Sequence, residues 1–255
     1  MPKSPYLSVV IPVYNEADNL KTQKLPQIYK YLSAMDFSWE MILVNDGSSD
    51  DSLALLNEFI KDHPAVKLID NPHQGKAATV ATGVFASQGE YILFSDTDQA
   101  TPIEELNKFI PFMHQGYEII IGSRTGRKGA PLFRQILARG MVIFRTLLLN
   151  LPITDSQCGF KAFKKEAATK IFTIMSRVHP PQVISGPAVN PGFDVELLYL
   201  GRKLGFKIKE IPVVWNYYTS KRVSFFKDAV NGVKELFLVR YRSLTNAYIL
   251  DADGK

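Results

Sequence analysis

The chain has little of what would set it apart from ordinary globular proteins. A single cysteine among 255 residues excludes a disulfide scaffold and any zinc site built on several thiolates, and fits a reducing compartment. No stretch reaches the roughly 18 uninterrupted apolar residues that a spanning helix needs, and no basic start leads into an apolar signal core. The expectation is a chain that is neither exported nor membrane-spanning. Internal repeats and a linker of domain-boundary composition are absent. So are zinc-finger spacing, an RNA-binding aromatic signature and bare Lys/Arg runs, which argues against nucleic acid as a partner. The fingerprint G-x-G-x-x-G is missing after the first apolar run, where Pro12-Val13-Tyr14-Asn15-Glu16 stands instead, and this excludes a Rossmann dehydrogenase.

What is present is the composition of a folded globular chain, 46% hydrophobic and 22% charged with 16 Gly and 15 Pro, able to bury its own core. The net charge of +5 hides a division: residues 1–120 carry 8 Lys+Arg against 16 Asp+Glu, whereas 121–255 carry 22 against 9. An acidic front half suits a metal cation. A basic back half suits phosphate groups or an anionic membrane surface.

Short apolar runs at Leu7–Val13, Met41–Val44, Val66–Ile69, Tyr91–Phe94 and Ile119–Ile121 read as strands buried on both faces of a parallel sheet. Between them, segments near 18–33, 51–62, 75–86 and 103–114 read as helices. This alternation predicts an α/β fold of βαβ units, a doubly wound sheet with ligands at the carboxyl ends of its strands. After 122 the rhythm changes. A basic loop at 123–135, an apolar helix at 136–149 carrying Arg139 and Arg145, and a further loop at 150–163 are expected. A helix near 164–176, a Pro/Gly-rich stretch at 179–192, a helix at 193–204, a strand near 207–214 and a last helix at 224–240 follow.

The strongest local signal is Asp96-Thr97-Asp98 directly after YILFS. Two carboxylates one residue apart at a strand end can grip a hard divalent cation, which can bridge diphosphate oxygens. The same triplet can also be a helix-start turn, although Thr101-Pro102 and Glu104 already supply a cap, a first-turn proline and a capping-box acid. Lys76 behind Gly75 at a helix start offers an ammonium beside free backbone N–H groups, a reasonable anion site. Asp46-Gly47-Ser48 reads as a turn before a helix, and Glu16 as a first-turn acid.

The segments VVIPVYNE, LVNDGSSDDS, GKAATVATG, FSDTDQA, IGSR and TDSQCGF, in this order and spacing, resemble glycosyltransferase family 2 with the GT-A fold over residues 7 to about 215. TDSQCGFKAF, FDVELLYL, IKEIPVVW and SKRVSFFKDAVNG look closest to its dolichyl-phosphate glucosyltransferase and polyprenyl-phosphate glycosyltransferase group. The resemblance implies a catalytic domain at 1–215, a mostly parallel twisted sheet flanked by helices, and a C-terminal amphipathic helical extension at 216–255 packed on it. It implies an inverting, metal-dependent transfer of a hexose, glucose from UDP-glucose or mannose from GDP-mannose, to a polyprenyl or dolichyl phosphate. Transfer to a sugar hydroxyl and a non-catalytic nucleotide-sugar-binding module are the alternatives.

Carried over residue by residue, the resemblance places Pro12, Tyr14, Glu16 and Asp46 around the nucleotide, with Asp46 facing the base and Lys76 on nucleotide or diphosphate. Asp96 and Asp98 hold Mg²⁺ or Mn²⁺. Many relatives have Gln two residues past the second Asp; this chain has Ala100 there, with Gln99 one position out of phase, so water and diphosphate oxygens would complete the metal shell. Asp155 matches the acceptor-side carboxylate, either the base or a group that orients the acceptor or an arginine. A turn or cap role before Gly159 is the alternative. Arg124, then Arg134, then Arg139 resemble arginines that meet acceptor phosphate and donor diphosphate. Cys158 reads as packing, and Asp194 and Glu196 stay outside the catalytic set. On 224–240, Phe226, Ala229, Val230, Val233 and Phe237 recur at helical spacing beside basic residues, the pattern of an interfacial helix and equally of a core-covering one. The location expected is the cytoplasm, peripheral on the cytoplasmic face of a membrane.

Overall fold

The structure, a computed structural model, describes residues 4–124, 132–185, 192–216 and 225–249. In chain order the elements are β1 (Leu7–Val13), α1 (Ala17–Leu20), α2 (Lys24–Ser33), β2 (Trp39–Asp46), α3 (Ser52–Lys61), β3 (Val66–Asn71) and α4 (Lys76–Ala86). There follow β4 (Tyr91–Ser95), a 3₁₀ helix (Ile103–Lys108), α5 (Ile110–His114), β5 (Ile119–Arg124), α6 (Leu132–Leu149), β6 (Phe160–Lys164) and α7 (Lys165–Val178). The chain closes with α8 (Phe193–Lys203), β7 (Ile208–Val213) and α9 (Phe225–Leu244).

Seven strands form one sheet in the order β3-β2-β1-β4-β6-β5-β7. All neighbours are parallel except β6, which runs antiparallel to both β4 and β5. Successive strand residues point to opposite faces, so β1 divides itself between two cores. Val9, Ile11 and Val13 join Leu25, Ile28 and Leu32 of α2 on one side, while Val10 meets Val80 and Val84 of α4 on the other. On that second side α4 comes so close that a Cβ on Gly83 would stand 2.3 Å from Val10. Both faces are thus covered, as the near-continuous apolar strands require.

Three expectations are corrected. The helix expected at 18–33 is two helices, because Pro26 has no N–H for the carbonyl of residue 22 and instead occupies the first turn of α2. The helix expected at 103–114 is a 3₁₀ turn followed by α5, and Pro111 denies a continuous helix its bond to residue 107 in the same way. The loop expected at 150–163 ends in a strand, β6. Its sequence FKAFK hides a fully buried lysine among apolar neighbours, so it reads neither as an apolar run nor as a polar loop. The helices expected at 136–149 and 224–240 extend to Leu132 and Leu244.

Candidate active site

The carboxyl ends of β1, β2 and β4 bring the expected residues to one edge of the sheet. Tyr14, Asn15 and Glu16 leave β1 in a turn that puts Asn15 at φ 52°, a left-handed conformation asparagine tolerates. The loop after β2 holds this turn. Ser48 accepts the N–H of Asn15 at 3.0 Å, Ser52 that of Glu16 at 2.9 Å and Asp50 that of Ala17 at 3.1 Å. The NDGSSDDS segment therefore caps the start of α1 across the sheet.

Asp46 is 2% exposed. Its carboxylate accepts the N–H groups of Gln74 at 2.8 Å and Gly75 at 2.9 Å, and His73 Nδ1 lies 2.8 Å away. Both Asp46 oxygens are directed into the 73–75 turn and not outward, which differs from the expectation that it faces the base. The His73 ring in turn stacks on Tyr14, with centroids 3.9 Å apart and planes 3° from parallel. Asp46 thus supports, through His73, a stacked aromatic pair. His73 had no sequence signal beyond its place before Gly75-Lys76.

Asp96 and Asp98 follow β4. Thr97 between them donates to the carbonyl of Pro12 at 2.7 Å, tying the triplet to the end of β1. Asp96 Oδ1 accepts Lys76 Nζ at 2.5 Å. Burial would favour the neutral amine, but the charges of Asp96 and Asp194 keep Lys76 protonated, its pKa raised. Lys76 is therefore placed on the Asp96 carboxylate, where nucleotide or diphosphate was the expected partner. Asp98 accepts one backbone N–H, from Ala100 at 2.9 Å. Gln99, at φ 49°, turns its amide nitrogen onto Ser95 and the Asp96 carbonyl, and its buried Oε1 has no partner among the described residues.

The two partly exposed carboxylates are the hard oxygen donors that a divalent cation takes. Among the described residues no three His, Cys, Asp or Glu side chains converge to hold an ion unaided.

The acceptor-side candidates form one tight unit. Arg124, at the end of β5, reaches Asp155 Oδ2 through Nε at 2.6 Å and Oδ1 through Nη2 at 2.8 Å, and its backbone N–H bonds Oδ2 at 3.0 Å. Burial alone would raise the Asp155 pKa, but the Arg124 hydrogen bonds and charge more than offset it and hold the carboxyl below the usual carboxylate range. Glu210 of β7 accepts the N–H groups of Thr154 and Asp155 at 2.8 and 2.7 Å. Trp215 lies 5.4 Å from the guanidinium carbon of Arg124, a cation–π distance. Glu210 and Trp215 were not singled out from sequence, because nothing in a strand end announces which far loop it will hold. Arg145, 7% exposed, donates to Ser156 at 3.0 Å, while its Nε and Nη2 have no partner among the described residues.

Gly159 joins the two groups. A Cβ there would stand 1.9 Å from Asp96 Oδ2, so the 154–159 loop presses on the first aspartate and only glycine permits it. Cys158 is buried and packs with Thr101, and burial pushes its thiol pKa up, as a packing role requires.

With this geometry in hand, a family model described as glycosyl transferase family 2 matches residues 8–172. The chain belongs to glycosyltransferase family 2. It is an enzyme of the glycosyl-transfer class with the GT-A fold. Its curated relatives include a dolichyl-phosphate beta-glucosyltransferase of Dictyostelium discoideum, 33% identical, covering 94% of this chain and 75% of that protein. The human dolichyl-phosphate beta-glucosyltransferase is 31% identical, with 98% and 79% covered. A glucosyl-3-phosphoglycerate synthase from Mycobacterium tuberculosis, solved with Mn²⁺, UDP and product, superposes with a TM-score of 0.59 at 16% identity over 93% of this chain and 80% of that one. A mannosyltransferase from Pyrobaculum calidifontis, solved with GDP-Man and Mn²⁺, gives 0.60 at 18% identity, covering 96% and 65%.

Arg139 is exposed on α6; the side chain of Arg134, with Arg127 and Lys128, lies outside the described residues. Asp194 pairs with the fully buried Lys161 at 2.5 Å. Glu196, 1% exposed, bonds His179 at 2.8 Å, Tyr248 at 2.5 Å and Arg242 at 3.2 Å, fastening the end of α9 to α7 and α8. Both are ion-paired within the fold. Among the described residues no helix is long and apolar enough to cross a membrane.

Proposed function

We propose that this enzyme transfers a hexose, with inversion, from a nucleoside diphosphate sugar to a polyprenyl or dolichyl phosphate, with UDP-glucose as donor. The observation that carries the acceptor class is the state of Asp155. A carboxylate with both oxygens in an arginine fork and its pKa lowered is a poor base for a sugar hydroxyl. A lipid monophosphate needs none, because its second ionisation lies near pH 6 and its oxygen is already anionic at neutrality. The acceptor oxygen then attacks the anomeric carbon as the bond to the diphosphate breaks, and the nucleoside diphosphate leaves. The names of the curated relatives support the same acceptor and sugar.

In this reading Tyr14, backed by His73, gives the nucleobase a flat surface, and Pro12, Glu16 and Asp46 shape the pocket around it. Asp96 and Asp98 hold Mg²⁺ or Mn²⁺, with Gln99 at hand; the ion, when bound, neutralises charge on the leaving diphosphate. Lys76, paired with Asp96, presents an ammonium to the diphosphate. Arg124, with Arg134 and Arg139, recognises acceptor phosphate, and Asp155 orients Arg124 for it. The enzyme works as a peripheral protein on the cytoplasmic face of a membrane.

The test is transfer from radiolabelled UDP-glucose and, separately, GDP-mannose to a short polyprenyl phosphate, with Mg²⁺ or Mn²⁺ and with chelator. Lipid-linked glucose that disappears with chelator and in Asp98→Asn is the expected result. Transfer to soluble saccharides without lipid phosphate would overturn the acceptor, and product only from GDP-mannose would overturn the donor.

A further inference from the structure

The carboxyl-terminal ends of α6 and α8 and the later turns of α9 border a groove of about 640 Å³ whose lining includes Arg202, Lys203 and Arg240 and, among the described residues, no acidic residue. It is not the active site. Asp194, near the start of α8, sits at the catalytic edge with Lys161, whereas Lys203 closes the same helix roughly 13 Å further along its axis.

The three cations are only lightly engaged. Arg202 lies 3.4 Å from Asn150 Oδ1, Lys203 donates to Ser243 Oγ at 3.1 Å and stands 5.5 Å from the Tyr248 ring centroid, and Arg240 is exposed with no ion pair among the described residues. Leu147 and Phe206 give the groove an apolar side.

Around it lies an apolar surface. Ile143 and Leu147, one turn apart on α6, are 61% and 80% exposed; Phe237, Tyr241 and Leu244 on α9 are 53%, 65% and 66% exposed. The two helices are packed together through Phe144 and Phe237, ring centroids 5.6 Å apart. Single exposed apolar residues need no explanation, but a stripe shared by two packed helices does. Apolar residues flanking a cationic, acid-free groove match an anionic amphiphile, whose headgroup takes the charge while its acyl layer meets the leucines and aromatics.

We propose that this groove binds the headgroup of an anionic phospholipid and seats the enzyme on an anionic membrane through α6 and α9. The inference rests on the peripheral-membrane reading above and specifies its surface and lipid class.

The test is flotation of the full chain with phosphatidylcholine vesicles, with and without phosphatidylglycerol. The variant Arg202→Gln/Lys203→Gln/Arg240→Gln is compared with Lys30→Gln/Lys61→Gln/Lys170→Gln, which removes the same charge from α2, α3 and α7. Circular dichroism and thermal melting establish that each variant folds. Wild type is expected to float with the anionic vesicles and far less with neutral ones. At roughly fivefold per basic residue near the surface, the groove variant should partition about a hundredfold more weakly, and the control much less so. Equal losses in both variants would reduce the effect to net charge and overturn the groove. Wild-type binding that ignores phosphatidylglycerol would overturn the headgroup. Vesicle binding that the groove variant leaves unchanged, with inorganic phosphate bound in calorimetry by wild type and not by that variant, would assign the groove to a soluble phosphate instead. A dimer in sedimentation velocity that Leu147→Ser/Tyr241→Ser dissolves would assign the apolar face to a second copy of the chain. Because vesicle binding is read without turnover, a negative result here leaves the transfer assay free to succeed, and the reverse.

Discussion

Replacing Gly159 with alanine separates stability from chemistry at this site. The added Cβ would stand 1.9 Å from Asp96 Oδ2 and 2.5 Å from Cγ. Carbon and oxygen ordinarily touch at roughly 3.3 Å, so the carboxylate must retreat by about 1.4 Å. It can retreat, because it ends a short, partly exposed side chain and not a strand, and the change in melting temperature should be small. The displacement nevertheless breaks the Lys76 contact and moves a proposed metal ligand beyond the tolerance of a catalytic site. A misplacement of about 1 Å costs on the order of a hundredfold in rate, or about 2.7 kcal/mol. The expected result is a folded Gly159→Ala protein with kcat down by at least that factor and weaker Mn²⁺ affinity in the presence of UDP, read by calorimetry. Wild-type rate and metal affinity in this variant would refute the contact's importance and with it the assignment of Asp96 to the metal.

Other outcomes follow from the same geometry. Asp155→Asn should lower kcat only about tenfold and keep an acid limb near pH 6 from the acceptor's second ionisation; a loss of a thousandfold or more would make Asp155 the base. Lys161→Met, which strands Asp194, should cost roughly 3 kcal/mol in denaturant unfolding, with much of it recovered when Asp194→Asn is added. Glu196→Gln should destabilise by about 2 kcal/mol, a fall of roughly 4–8 °C in Tm, with early proteolysis at α9. Burial raises the Glu196 pKa, but His179, Tyr248 and Arg242 lower it further. Its contribution is therefore full above the unfolded value near pH 4.3 and lost as pH falls through the lower folded value. The gap in Tm between wild type and Glu196→Gln should accordingly close in acid.

The parallel half of the sheet was legible because strands buried on both faces have to be apolar throughout, and the polar residues behind each one then mark the ligand edge. Pro12, Tyr14, Glu16, Asp46, Lys76, Asp96, Asp98 and Arg124 all lie on or beneath that edge. What escaped were features set by pairings distant in sequence. Lys161 is tolerated inside a strand only because Asp194, 33 residues later, reaches it, so β6 looked like loop. Glu210 holds the Thr154–Asp155 backbone from 55 and 56 residues away, and the Tyr14–His73 stack spans the interval from β1 to α4. Asp46 shows the limit in another way: its residue type fitted a ligand contact, but three surrounding donors had already claimed it.

The sheet order has a consequence for how the enzyme comes into being. Strands β3, β2, β1 and β4 come from the first 95 residues and can pair as soon as they are made. Strand β5 cannot join them, since β6 must first slip between it and β4. Until residue 164 has left the ribosome, β4 therefore keeps an open edge and β5 has no partner there, the kind of non-local closure that slows folding. The Asp96–Gly159 contact lies at that seam between β4 and β6. A chain halted before that point can carry the Tyr14–His73 stack but neither the Asp96–Gly159 contact nor the Arg124–Asp155 pair.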